Sequence, residues 1–304
     1  MPGSSAPEPR AAILPGVLYA LAGAMAFSGK AIIVKLSYRY GVDAVTVIMY
    51  RMLFALPFFL AMSWWASRGR PPLAGQDWLG VLGLGFSGYY LASFLDFLGL
   101  QYVTASLERL ILYLNPTLVL LVGWLLYRKP FTRVQMLGMA VSYAGVVLVF
   151  GHETRLEGSN VPLGALLVFL SAVSYAIYLV YSGQLVRRIG SLRLVGLATT
   201  VACLLCILQF VLLRPVASAL AVAPQVIWLS LLNAAACTAV PVLLVMMAIE
   251  RVGAAVTAQT GMVGPISTIL LGVWLLGEPF TAWVAAGTLL VLAGIFVFTQ
   301  GARR

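Results

Sequence analysis

The chain has 304 residues, 62% of them hydrophobic and only 9% charged, with a formal net charge of +10. A soluble globular chain is about 45–50% apolar and about 25% charged. A soluble fold of this length is therefore excluded, and lipid must be the solvent for much of the surface. The basic excess, which would suggest nucleic acid in a soluble protein, is read here as membrane-orienting charge, and nucleic acid is set aside as a partner.

In chain order, the first ten residues (MPGSSAPEPR) are polar and Pro-rich, with no leader pattern, and predict a short disordered tail. Apolar stretches of spanning length then recur between charged or Gly/Pro-marked breaks. They predict helices near Leu14 to Val34, Ala44 to Ala66, Trp78 to Leu100, Thr104 to Tyr127 and Val134 to Phe150. After a polar loop, His152 to Asn160, a second set is predicted near Leu163 to Gln184, Leu192 to Leu213, Gln225 to Ile249, Ala254 to Leu276 and Ala282 to Thr299. The expected fold class is an all-α membrane protein of ten transmembrane helices, in a first unit of residues 1–150 and a second of residues 151–304.

Lysine and arginine set the orientation. With a cytoplasmic N-terminus, twelve basic residues, from Arg10, Arg68 and Arg70 to Arg303 and Arg304, fall in inner segments. Only four, Lys35, Arg39, Arg155 and Arg214, fall in outer ones. That bias predicts both termini in the cytoplasm of a multi-pass protein in the cell's inner (plasma) membrane.

Residues 103–150 match residues 252–299 at a constant offset of 149. Pro116 falls on Pro265, Gly123 on Gly272, Pro130-Phe131-Thr132 on Pro279-Phe280-Thr281, Gly138 on Gly287, and Ala144-Gly145 on Ala293-Gly294. Each unit has five helices, an odd number, so the second enters the membrane from the opposite side. Secondary transporters use such inverted repeats to alternate access to a midplane site between the halves. Before the shared Pro-Phe-Thr, the inner loop carries Arg128-Lys129 and the outer loop Gly277-Glu278, a charge change that suits the side each faces.

Pro116 and Pro265 are expected mid-helix, where a proline removes a hydrogen bond and frees a carbonyl; they read either as a pointer to a transport site or as inherited kinks. Gly138/Gly145 and Gly287/Gly294 lie seven apart, so each pair shares a helical face suited to close packing. Gly80, Gly83, Gly85 and Gly88 could pack or let the third helix bend.

Five charged residues, Lys30, Arg51, Asp96, Glu108 and Arg109, fall within predicted spans, where ionisable groups are costly and usually mark a pathway or a pair. Helix counting places all five in the outer half of the first unit. Asp96 and Arg109 flank one turn at similar depth and predict an ion pair, while Glu108 points elsewhere and could meet Lys30 or Arg51. The formal sum of +1 suits a carboxylate-bearing group better than a cation. The alternative is that Lys30 and Arg51 snorkel to headgroups. In the second unit the counterparts of Asp96, Glu108 and Arg109 are Val245, Thr257 and Ala258. Asn233, Thr257, Gln259 and Thr260 could line the other wall of a cavity, with Tyr113, Asn115, Tyr175 and Tyr178 as further candidates.

The one histidine, His152, lies in a loop, so no His-metal cluster or buried Ser-His pair can be built. No G-x-x-x-x-G-K-[ST] loop is present. Cys203, Cys206 and Cys237 sit in apolar runs, and the C-x-x-C reads as small apolar helix residues. No cofactor and no catalytic residue is expected; a membrane enzyme acting on lipid and a non-transporting sensor or scaffold are the other classes open. Monomer and homodimer are both open.

The sequence resembles the EamA family of the drug/metabolite transporter superfamily over essentially its whole length. The resemblance is carried by Tyr50-Arg51-Met52-Leu53-Phe54, Pro116, Pro130 and Gly145, then by Gly264-Pro265, Leu276-Gly277-Glu278-Pro279, Gly287 and Gly294. It implies a ten-helix fold, a central cavity and export or exchange of metabolites such as amino acids without ATP, with multidrug or organic-cation efflux as the rival. Coupling to protons would run through Asp96 or Glu108. Two departures stand out: Tyr127-Arg128-Lys129 where many members repeat Leu-Gly-Glu, and Ala26-Phe27-Ser28-Gly29-Lys30 where Trp-Gly-x-Asn is commoner.

Overall fold

The computed structural model describes residues 9–128, 132–157 and 160–301. Among these, nine helices are long and apolar enough to cross a membrane, and a shorter apolar helix joins them. In chain order they are α1 Leu14–Tyr38, α2 Ala44–Ser67, α3 Gly75–Gly99, α4 Ala105–Leu126, α5 Arg133–Arg155, α6 Val161–Ile189, α7 Ser191–Leu213, α8 Pro224–Val245, the shorter α9 Gly264–Leu276, and α10 Ala282–Gln300. The helical backbone that leads into α1 begins at Pro9, so most of the expected tail lies outside the described residues.

The offset of 149 read from the last two helices of each unit extends to the third, whereas α6 and α7 start 147 residues after α1 and α2. α3 starts at Gly75 and α8 at Pro224; α5 starts at Arg133 and α10 at Ala282. Two irregularities obey it too, while a π-turn at Gly272–Leu276 of α9 has regular helix at its counterpart in α4. A π-turn occupies Gly85–Leu91 in α3 and another Ala235–Ala239 in α8. Such turns admit one extra residue and re-aim side chains. The glycines of α3 both pack and bend: Gly88 lies in its π-turn against the Tyr178 ring, and Gly80 packs on Leu185.

α4 and α9 show why their prolines matter. α4 is interrupted at Tyr113–Leu114 and restarts as Asn115–Tyr127, with Pro116 in the first turn. A 3-10 turn, Gly261–Val263, precedes α9, again with Pro265 in its first turn. The expected mid-helix position is thus corrected. Each proline opens a new helical segment, where an N–H would lack an intrahelical partner anyway.

Helical hydrogen bonding continues from α8 to Thr260, across the loop expected between Ile249 and Ala254. The chain nevertheless reverses there. Gly29, Gly23 and Gly16 of α1 lie in turn against Cys237, Val245 and Val252, whereas Ser28 donates to the Gly264 carbonyl at 2.9 Å. Beyond Val252 the chain climbs back along α1.

Among the contacts between the two units, α5 packs on α10. Gly138 packs on the Gly294 carbonyl and Gly145 on the Gly287 carbonyl, and the Ser142 hydroxyl lies 3.4 Å from the Val291 carbonyl. Ser142 and Val291 are themselves repeat partners, so the pseudo-two-fold axis passes through their contact. A side chain at any of these glycines would collide with backbone, which is why both faces are glycine.

Candidate substrate site

α1 continues two turns past Lys30, to Tyr38. This corrects the expectation that Lys30 lies near the helix end: about 12 Å of helix follow it. At that depth, beside the α8 π-turn, an ammonium has little to bind but other protein groups. Its Nζ lies 2.5 Å from Asp96 Oδ2 on α3 and 3.3 Å from Glu108 Oε1 on α4. The first is a charge-assisted hydrogen bond, the second an ion contact without hydrogen-bond alignment.

The expected Asp96–Arg109 pair is not formed. Arg109 turns from the hairpin toward the second unit, where Nε donates to Thr268 Oγ1 of α9 at 2.9 Å and Nη2 to the Phe27 carbonyl of α1 at 3.2 Å. Its Nε stays 4.0 Å from Glu108 Oε2. Lys30 of α1 takes Asp96, and Arg109, on α4 where it packs directly against α9, binds across the unit boundary. Of the two partners open to Glu108, the structure selects Lys30.

Arg51, two turns into α2, is likewise turned inward and 6% exposed, which overturns snorkelling to headgroups. Its Nε donates to Thr238 Oγ1 at 3.1 Å, in the α8 π-turn, and its guanidinium lies 5.2 Å from the Phe97 ring centroid, next to Asp96. Nη1 has no hydrogen-bond partner. Asn233, one turn earlier on α8, donates to the Lys30 carbonyl at 3.4 Å and so fixes α1 at its charged residue. Asp96, Glu108 and Asn233 are 2%, 0% and 1% exposed, so the site is closed in this conformation.

Leaving two carboxylates and three cations in a low-dielectric interior is costly unless they pair, and breaking such a set strands an uncompensated charge. Here the pairing leaves a formal +1, with Arg51 Nη1, Asp96 Oδ1 and Asn233 Oδ1 holding unused bonding capacity. The arrangement can bind an anionic group at Arg51 and a donor at Asp96.

Other expected site residues are placed as follows. Tyr113 stands at the interruption of α4 and donates to the Gly261 carbonyl at 2.6 Å, tying the break in α4 to the break before α9. Asn115 restarts α4 with a buried Oδ1 that has no partner. Thr257 is buried, and Thr260 donates to its own helix at Val256. The side chain of Gln259 lies outside the described residues. Tyr178 has aromatic partners, its hydroxyl 3.1 Å from that of Tyr89 and its ring stacked on Tyr175. Cys203 and Cys206 are buried free thiols in the apolar core, as their reading as small apolar helix residues expects.

Sequence reasoning missed Ser28, Thr238 and Thr268. Single small hydroxyl residues in apolar runs carry no signal until a charged partner is seen beside them. A cavity of about 290 Å³ lies off the site, between α4, α5 and α6, and is walled by apolar groups such as Ile111, Val146 and Phe169.

The fold and site define a multi-pass, two-repeat helical membrane protein with its charges buried where the repeats meet. The profile of the EamA-like transporter family matches the chain in two segments, residues 14–151 and 162–300. The chain belongs to that family and is a membrane transporter. Among its relatives, the uncharacterized transporter YcbK of Bacillus subtilis (strain 168) is 32% identical over 277 residues, covering 86% of each chain. An uncharacterized transporter of Archaeoglobus fulgidus is 23% identical over 274 residues, covering 90% of this chain and 93% of its own. A solved crystal structure shares the fold with a TM-score of 0.64 at 20% identity, covering 95% of this chain and 97% of that one.

Proposed function

We propose that the protein is a secondary, ATP-independent exporter of amino acids or similar small carboxylate-bearing metabolites, working by alternating access in the cell's inner membrane. In this reading both termini are cytoplasmic, the chain makes ten passes, with α9 and the helical residues before it as one of them, and the two inverted units rock about the α5–α10 contact. The observation that carries it is the closed Lys30–Asp96–Glu108 set with the buried Arg51 guanidinium beside it. Matched interruptions in the two units support a site at that level. Asp96 and Glu108 are the groups through which protons would be coupled.

Organic-cation efflux is the second reading, favoured by the unused Asp96 Oδ1. Counterflow in proteoliposomes, with labelled amino acids, other carboxylates and organic cations and with or without a proton gradient, separates the two. Export of carboxylates predicts flux of a carboxylate that Arg51→Glu abolishes. Flux of cations that Arg51→Glu preserves or improves would replace this reading with the second, and absence of flux for any solute would end both.

A further inference from the structure

The polar groups outside the charged site gather where the turn after α9 meets the start of α4. Glu278, of the second unit, reaches into the first. Its Oε1 accepts from the Ala105 amide at 2.7 Å, and its Oε2 accepts from the Ser106 amide at 3.3 Å and the Ser106 hydroxyl at 2.9 Å. These amides belong to the first turn of α4, whose N–H groups have no intrahelical partner and whose dipole favours a carboxylate. The Thr104 hydroxyl caps the same turn at Leu107. The α1 end closes the junction: Lys35 Nζ donates to the Val103 carbonyl at 2.6 Å and sits 3.9 Å from Glu278 Oε1, while Arg39 Nη2 donates to the Leu276 carbonyl at 2.6 Å. The Glu278 side chain is 8% exposed.

Glu108 and Arg109 lie within one turn of Ser106, so whatever holds the start of α4 also holds two members of the charged site. In the sequence, the repeat counterpart of Glu278 is Lys129, and those of Ala105 and Ser106 are Ala254 and Ala255. An ammonium has no lone pair and cannot accept from an amide in any conformation. This junction can therefore be latched by a carboxylate at one end of the molecule only, the outer end by the charge rule.

Resting on the transport reading, we propose that Glu278 is a positioning residue and one-sided latch. It holds α4 so that Glu108 and Arg109 face Lys30 and Thr268, and its release opens the outer side of the site. The repeat position of Glu278 carries Lys129, which cannot make the same contact, and this makes the outward-closed form the resting state.

The test uses the full chain carrying Ala105→Cys, a position fully buried in the closed form. An impermeant maleimide is applied to intact cells and, separately, to inverted vesicles. Glu278→Ala is expected to raise labelling of the cysteine at position 105 from outside about tenfold or more, the scale of losing charge-assisted hydrogen bonds. Cys237, which lies at the charged site, is replaced by Ala so that it adds no signal; native Cys203 and Cys206 stay unlabelled, and Lys129→Ala changes nothing from outside. Should Glu278→Ala fail to fold, Glu278→Gln, which keeps one acceptor, carries the same test. The proposal is overturned by unchanged labelling, by a rise shared with Cys203 and Cys206, or by an equal rise in Lys129→Ala. The expected labelling together with no flux of any solute would leave the latch standing and remove the transport reading instead.

Discussion

At the charged site, Gly29 of α1 lies against Cys237 in the π-turn of α8; at the repeat-related place, Tyr178 of α6 lies against Gly88 in the π-turn of α3. The two contacts are the same interface with the small and large partners exchanged. Beside the first stand Lys30, Asp96 and Glu108; beside the second stand Leu179, Val245 and Thr257 in sequence register, and Tyr89 and Tyr175 in space. Duplication has kept the π-turns of α3 and α8, while the side chains beside them have diverged into a charged wall and an aromatic one. An inverted repeat supplies a symmetric mechanism of motion; it does not require a symmetric site.

The largest expected effect breaks the charged wall. Lys30→Met strands Asp96 and Glu108 without their shared cation and should cost about 3–5 kcal/mol of stability. Tyr178→Phe, on the aromatic wall, removes one hydroxyl contact at 3.1 Å and should cost about 0.5–1.5 kcal/mol. Denaturant unfolding in detergent measures both. Equal losses would mean that the charges are structural packing like the tyrosines.

The axis between the units offers the next test. An added methyl at Gly294 would stand 2.3 Å from Ser142 Oγ and 2.6 Å from the Gly138 carbonyl; one at Gly145 would stand 2.6 Å from the Gly287 carbonyl. Gly294→Ala and Gly145→Ala should each cost about 1–3 kcal/mol. Because the contacts are repeat images, thermal unfolding should find the two alike. A large difference would show that the axis is broken at α5–α10.

A smaller effect separates the ends of α4 and α9. Both close on a left-handed residue at the same register, Arg128 with φ 52° and Gly277 with φ 73°. Arginine pays for the conformation that glycine adopts freely. Arg128→Gly should stabilise by about 1 kcal/mol, and Gly277→Ala should destabilise by about as much.

The smallest effect concerns Asp43, which caps α2. Partial burial pushes its carboxyl up, but the Thr46 hydroxyl and amide and the Arg214 guanidinium outweigh this and hold it below the usual carboxylate range. A depressed folded value gives stability that is present above the unfolded aspartate value, about pH 3.9, and is lost as pH falls through the folded one. Acid unfolding of Asp43→Asn should show a shallower loss in that window, and added salt should shrink the difference because the pair is half exposed.

Much of the fold was legible because it rests on periodic apolar runs and on a repeat without gaps. Helix ends were less so. α1 passes its expected end at Val34 because Lys35 finds the Val103 carbonyl and Glu278, and so belongs inside the protein. The members of the charged site could be named from their cost in lipid, but their partners could not. Asp96 and Arg109 are neighbours along a hairpin, yet the pairing was decided by α1 and α9, which are distant in sequence. Glu278 stood out only as a loop charge, and its role needs the start of α4 beside it.

The central claim is that transport chemistry sits on the charged wall and not on the aromatic one. Proteoliposome counterflow of a labelled carboxylate substrate in wild type, Arg51→Glu and Tyr178→Phe tests it most directly. The account predicts at least about a tenfold loss for Arg51→Glu, equivalent to about 1.4 kcal/mol or more, with Tyr178→Phe within a few-fold of wild type. Equal losses in both variants, or a greater loss in Tyr178→Phe, would contradict it.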